Sequence, residues 1–148
     1  MCELRRHAAL TSVLLSIRPE YVREIVRGRK KYEFRKSTFR KQHVDHVYIY
    51  SSSPVKKLVG RFKVGQIVKA KPRILWDCLG DCSGMSEERF FEYFAGRSCA
   101  YAIGIGRVGV FDPPIDPREC LPRFAPPQSF CYFDDTPLKN METTMYDV

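Results

Sequence analysis

Val13-Leu14-Leu15-Ser16-Ile17-Arg18-Pro19-Glu20-Tyr21-Val22-Arg23-Glu24-Ile25-Val26-Arg27-Gly28-Arg29-Lys30-Lys31-Tyr32-Glu33-Phe34-Arg35-Lys36 carries three element signals in succession. Val13 to Ile17 is a short apolar run suited to a buried strand. Pro19 then opens a helix, its fixed φ suiting the first helical position. Val22, Ile25 and Val26 form one apolar stripe while Arg23, Glu24 and Arg27 face elsewhere. Gly28 ends the helix as a C′ residue. Tyr32 to Arg35 alternates as a strand does, with Tyr32 and Phe34 on one face and Glu33 and Arg35 on the other. So short an amphipathic helix needs a sheet to pack on.

Further strands follow from composition. Val47 to Tyr50 is β-branched and aromatic, and Ser51-Ser52-Ser53-Pro54 is a turn. Leu58 to Val68 reads as a long strand bent near Gly60 or Gly65. Ser86 is an N-cap, with Glu87 and Glu88 suiting the positive end of a second helix. Phe90, Phe91 and Phe94 make that helix's apolar face, and Gly96 ends it. Tyr101 to Phe111 alternates again, Pro113 to Pro127 reads as a surface wrap, and Ser129 to Phe133 as a last strand. The class is therefore α+β. Closure removes exposed edges, so the economical arrangement is a small mixed β-barrel with two main helices packed against it. Residues 1–12 read as an N-terminal extension, 13–133 as one domain, and 134–148 as an acidic tail without periodicity.

The chain has 148 residues, 44% of them hydrophobic, which fits a globular protein and excludes wholesale disorder. No apolar run approaches the roughly 20 residues of a membrane span, and the polar start argues against a secretory signal. A cytoplasmic location without membrane partners is the expectation. The formal net charge of +8 is unevenly spread: residues 1–73 hold 19 basic and 5 acidic side chains, residues 74–148 hold 6 and 12. A basic half of this kind favours polyanions, nucleic acid first. The six cysteines lack an extracellular context. Cys78 and Cys82 have zinc-like spacing but no second pair, and His43 with His46 is also half a site. Neither a metal nor a cofactor is expected.

Arg18, Arg29, Lys30, Lys31, Arg35 and Lys36 concentrate positive charge around the first helix and the strand after it, where they suit phosphates. Tyr32, Phe34, Tyr48 and Tyr50 are interleaved with that charge. Tyr32 and Phe34 read as core of the barrel interior; Tyr50, beside the serine turn, is the candidate for stacking an unpaired base. Glu33 and Arg35 share a strand face with Lys30 just before it. Their convergence would serve base-edge recognition or acid/base chemistry, whereas a surface salt-bridge cluster is the bland reading. Ser16 and Arg18 stand at the helix entrance. Ser51, Ser52, Gln128 and Ser129 offer donors and acceptors for a polar wall, or equally serve turns.

The segments Leu15–Tyr21 and Ile25–Lys36, with Val47–Lys57, Ser83-Gly84-Met85-Ser86 and Pro126–Phe130, resemble the ASCH domain family of the PUA-like superfamily. The likeness spans residues 13 to 133. It implies a PUA-like barrel, a cleft between barrel and helices, and binding of RNA or a modified nucleoside or nucleotide. Some ASCH-like proteins hydrolyse the acetyl amide of N4-acetylcytidine through a Gly-x-Lys-x-x-Thr-x-Arg motif and a later glutamate. Here Gly28, Lys30 and Arg35 match, but Glu33 stands at the threonine, and Asp81 is the nearest stand-in for the later acid. If the chain is such an amidohydrolase, Lys30 and Glu33 carry the chemistry, with Glu33 acting on water rather than as a hydroxyl nucleophile. Ribonuclease activity is also claimed for some relatives, but no histidine pair or carboxylate cluster here recommends it. A protein-interaction or regulatory domain with a vestigial cleft is the third class.

Overall fold

The computed structural model describes residues 11–40, 43–141 and 143–148. The expected N-terminal extension lies outside them up to residue 10. Chain order is β1 (Thr11–Ile17), α1 (Pro19–Val26), β2 (Tyr32–Arg35), β3 (Val44–Ser51), β4 (Lys57–Ala70), α2 (Pro72–Leu79), α3 (Glu87–Tyr93), β5 (Ala100–Ile115), β6 (Phe130–Phe133) and β7 (Thr144–Asp147). Gly28, at φ +78°, ends α1 as the sequence predicts. Ser86 caps α3 by accepting a hydrogen bond from Arg89 N at 3.2 Å.

The strands form one mixed sheet in the order β2-β5-β4-β3-β1-β6, with β7 also paired to β5. β1 and β3 are parallel. A parallel pair needs a long crossover, and α1 with β2 supplies it. The ladder of β4 shifts register between Leu58 and Gly60 and again around Val64, so the long strand bends near the two glycines.

The expected barrel is not formed. The sheet is open, its two edges β2 and β6 not being paired to each other. The physical reason lies in short edges and a charged side chain. β6 pairs only with Ser12 to Leu15 of β1, so Ser16 extends past its end. Arg35, the last residue of β2, sends its guanidinium across the gap to Ser16 O at 2.8 Å and towards Ser129 O at 3.4 Å. A side-chain bridge stands where closure would have placed a backbone ladder.

The two-helix expectation is also corrected, because α2 adds a third. Pro72 occupies its first turn as Pro19 does in α1, and Leu75 is its buried anchor. Three apolar clusters follow from strand alternation. Val13, Leu15, Ile17, Val47, Ile49, Phe62 and Ile103 meet Val22 and Ile25 of α1, while Val26 is left exposed. On the other face Leu14, Tyr48, Tyr50, Leu58 and Phe111 gather with Leu138. Phe34, Ala100 and Ala102 receive Leu75, Phe90 and Phe94. Tyr32 and Phe34 thus belong to the helix-covered cluster rather than to a barrel interior. Glu33, opposite Ile103 in the ladder, points with Arg35 towards the first cluster.

The segment from residue 134 onward includes a 3₁₀ turn at Thr136–Asn140 and β7, which lies along Gly109 to Asp112 of β5. Met145 packs over Gly109, where a Cβ would come to 2.7 Å from its Sδ and the methionine side chain would have to shift.

Phe90 is fully buried, edge-on to Phe34, Phe91 and Phe94. Phe90→Ala is expected to cost about 3–5 kcal/mol of unfolding free energy. Urea unfolding checks this, and a loss under about 1 kcal/mol would contradict the packing role of α3.

Candidate functional site

The turn after α1 is held so that Lys30 must point inward. Arg29 N and Lys30 N both donate to Glu24 O at 3.0 Å, and Lys31 N donates to Cys82 O at 2.8 Å. Ile105 N donates to Lys31 O at 2.9 Å, tying the turn to β5. Gly84, at φ +65°, lets the chain pass close beneath: a Cβ there would meet Lys30 Cβ at 2.7 Å. The lysine side chain is 1% exposed. Its Nζ donates to Ser83 O at 2.8 Å and lies 5.2 Å from the Tyr21 ring centre and 5.1 Å from that of Phe34.

Two further charges are buried beside it. Glu33 is 6% and Arg35 8% exposed. Glu33 Oε1 stands 3.6 Å from Lys30 Nζ, and Oε2 accepts from Arg35 Nε at 2.9 Å and pairs with its NH2 at 2.7 Å. Each carboxylate oxygen therefore faces a cation. The remaining guanidinium contacts are the Ser16 and Ser129 carbonyls across the sheet gap. Burial pushes the Lys30 ammonium below the ordinary lysine value of 10.5, opposed by Glu33 and reinforced by Arg35.

These residues floor a cleft of about 410 Å³ between the open end of the sheet, α1 and α3. Five cationic side chains line it (Arg18, Lys30, Arg35, Lys36 and Arg89) against two carboxylates, Glu33 and Glu92. Tyr21 and Tyr93 supply aromatic wall. Arg89 bridges the helices, its NH1 3.1 Å from Glu20 Oε2 and 3.2 Å from Tyr21 Oη. Lys36 Nζ lies 4.7 Å from the Tyr93 ring centre. Burial first, and Glu33 after it, raise the Tyr93 hydroxyl above its ordinary value, against the lowering effect of Arg35. The site thus presents fixed donors and an acceptor at the floor, with long cationic side chains and ring faces above.

The structure brings together Ser16, Arg18, Lys30, Glu33 and Arg35. Ser16 contributes its backbone carbonyl to Arg35, while its hydroxyl donates to Pro127 O at 2.8 Å. Ser129 likewise contributes a carbonyl. Lys31 is exposed and outside the cleft lining, as are Gln128 and Asp81. Ser51 is buried and Ser52 half-buried in the turn, where Ser52 N donates to Ile17 O at 2.9 Å. Tyr50 as an exposed stacking residue is corrected. It is 4% exposed, packed against Phe124 in the second cluster on the opposite sheet face. Alternation decides this, since Val47 and Ile49 take the other face. Tyr21, Arg89, Glu92 and Tyr93 were not legible as site residues, because α1 and α3 meet only in three dimensions. The signal for α3 was Ser86 with Glu87 and Glu88, which locates the helix without saying which face meets the cleft.

Among the described residues, no three His, Cys, Asp or Glu side chains gather to hold a metal, and no helix is long and apolar enough to cross a membrane.

A family model described as ASCH domain matches residues 15–108. A relative from Zymomonas mobilis subsp. mobilis, named ASCH domain-containing ribonuclease, is 30% identical over 125 residues, covering 80% of this chain and 82% of its own. Two crystal structures of ASCH from Zymomonas mobilis, the first a point mutant, superpose with TM-scores of 0.78 and 0.77 at 26% and 27% identity. They cover 86% of this chain, and 94% and 91% of their own.

Glu33→Ala strands two buried cations, and is expected to cost about 3–5 kcal/mol, far more than an exposed pair. The lowered Lys30 value also sets a pH dependence. Between the folded value and 10.5 the unfolded chain binds the additional proton, so stability contributed at this site rises with pH across that window. Urea unfolding at stepped pH should show a shallower alkaline rise in Lys30→Met than in the wild type. Equal slopes would contradict the burial of a charged ammonium.

Proposed function

This chain belongs to the ASCH domain family, and from that premise we propose that it binds single-stranded RNA, or a modified nucleotide within it, in the cleft over Lys30, Glu33 and Arg35. The observation that carries the reading is a buried donor–acceptor pair, Arg35 and Glu33, at the floor of a cleft whose rim is cationic. A surface salt-bridge cluster would have been exposed, and this one is not. Prepositioned groups of opposite hydrogen-bonding sense suit a base edge, since neither needs to be ordered when a ligand arrives. Arg18, Lys36 and Arg89 at the rim suit backbone phosphates, whose neutralisation releases counterions regardless of sequence. Tyr21 and Tyr93 offer the ring faces on which an unpaired base stacks. The Zymomonas relative carries ribonuclease in its name, which supports RNA as the ligand class.

Hydrolysis is the second reading, favoured by one observation: the buried Lys30 amine has a lowered pKa beside a carboxylate. Such a pair suits proton transfer on an amide such as that of N4-acetylcytidine. Against it, Glu33 stands where the motif of those hydrolases carries a threonine, so the hydroxyl nucleophile is missing from that position. Binding therefore ranks above catalysis.

Fluorescence anisotropy with a labelled single-stranded oligoribonucleotide, repeated across salt concentrations, separates the readings. Arg18→Ala with Lys36→Ala is expected to weaken binding and to flatten the log–log salt slope by about 0.7 for each phosphate left without its cation. Tyr93→Ala is expected to cost about 1–3 kcal/mol where it stacks a base. Unchanged affinity and slope in both variants would remove the cleft from the account. Acetate released from N4-acetylcytidine by the wild type, and abolished by Lys30→Met, would establish the amidohydrolase instead.

A further inference from the structure

A second groove, of about 600 Å³, lies on the other side of the sheet, walled by β3, β4, β5 and β7. His46, Arg61, Lys63 and Arg107 line it against one carboxylate, Asp147. The β3–β4 register explains the gathering. His46 pairs with Lys63 and Tyr48 with Arg61, so alternation puts all four side chains on one face. Tyr48 belongs to the cluster containing Leu14, on the face away from Val47 and Ile49. His46 also pairs with Ser12 of β1, whereas the cleft begins at Ser16. Four residues along a strand correspond to about 13 Å, so the two sites are separated along the strand as well as by the sheet.

The guanidinium that lines the groove is only partly paired. Arg61 NH1 donates to Tyr48 Oη at 3.0 Å, and that hydroxyl donates to Asp135 Oδ2 at 2.8 Å. Arg61 Nε is buried and has no hydrogen-bond partner among the described residues. A buried guanidinium N–H without an acceptor is costly, so this arginine is left short of the hydrogen bonds its charge calls for. His46 Nδ1 lies 3.0 Å from Asp45 Oδ2. Asp147 Oδ2, carried in by the C-terminal strand, reaches within 3.9 Å of Arg107 NH1.

We propose that this groove is a second, sequence-indifferent seat for a nucleic-acid phosphate, held by Arg61, Lys63 and Arg107, with Asp147 as its internal competitor. The groove's affinity for phosphate stands on these contacts alone; only the naming of nucleic acid as its source rests on the RNA reading of the cleft. Phosphate oxygens accept from the guanidinium of Arg61 where it lines the groove and neutralise Lys63 and Arg107. Because Asp147 presents a carboxylate to the same arginine, an incoming phosphate displaces it. His46 stands in the lining as a reporter. Burial first and then Arg61 lower its pKa, with Lys63 acting likewise and Asp45 and Asp135 opposing. The negative charge of a phosphodiester, or of pyrophosphate in its place, added to that set favours the imidazolium.

The oligoribonucleotide titration tests the nucleic-acid part with variants of opposite sign. Lys63→Ala with Arg107→Ala should weaken binding about tenfold and reduce the salt slope by about 1.4, the value for two phosphates of a single strand. Asp147→Asn should tighten it two- to threefold at low salt, about the effect of removing one exposed competing charge. Unchanged affinity in both variants overturns the seat as an RNA contact, whatever the cleft variants do. A second measurement uses inorganic pyrophosphate and follows the His46 ring signals by NMR, assigned by their loss in His46→Asn. Saturation should raise the His46 pKa in the wild type and leave it unmoved in the Lys63→Ala, Arg107→Ala protein. An unmoved His46 in the wild type overturns the groove as an anion site even where RNA still binds the cleft. A shift in His46 without any RNA affinity upholds the phosphate seat and overturns the RNA reading.

Discussion

Three charges buried side by side at the open end of the sheet are the constraint on which the rest depends. Lys30, Glu33 and Arg35 lie at 1%, 6% and 8% exposure, and no one of them is tolerable there without the others. Glu33 neutralises two cations, Ser83 O accepts a hydrogen bond from the lysine, and the Ser16 and Ser129 carbonyls accept from the guanidinium. The acceptors come from β1, from the approach to β6 and from the turn before α3. A network collected from such distant parts of the chain is complete only where sheet and helices are both in place. Its geometry is therefore as rigid as the fold itself.

That rigidity links packing to function. Replacing a buried ion network with apolar side chains is often neutral or stabilising, so stability alone is a weak reason for placing charges here. A cleft offers a stronger one: preset donors and an acceptor, with Tyr21 and Tyr93 as walls and cations at the rim. The same sheet opening that leaves β2 and β6 unpaired gives access to this floor. Full closure would have exchanged the Arg35 bridge for backbone hydrogen bonds and covered the site.

Much of this was legible in the sequence, for local reasons. The period-2 pattern of Tyr32 to Arg35 separated Glu33 and Arg35 from Phe34, and Pro19 and Gly28 bracketed α1. Ser86 with its two glutamates located α3. What escaped was decided by non-local geometry. Tyr50 looked available beside a serine turn, yet alternation along β3 and Phe124 from the proline-rich segment bury it. The barrel expectation assumed that edges close by backbone pairing, whereas a four-residue β6 is too short to reach β2 and an arginine spans the gap. α2 begins with Pro72, the same signal that located α1, but only Leu75 of its short apolar stripe is fully buried, with Trp76 and Leu79 packing at the margin of the cluster. The uneven charge was visible from the start. Its division between a cleft and a groove on opposite faces depended on the β3–β4 register.

A crystal structure of the chain with a short single-stranded oligoribonucleotide puts the central claim to its most direct test. The account predicts an unpaired base at the cleft floor, within hydrogen-bonding distance of Glu33 or Arg35, with the buried network undisturbed beneath it. An oligoribonucleotide bound elsewhere on the protein, leaving that floor empty, would contradict it.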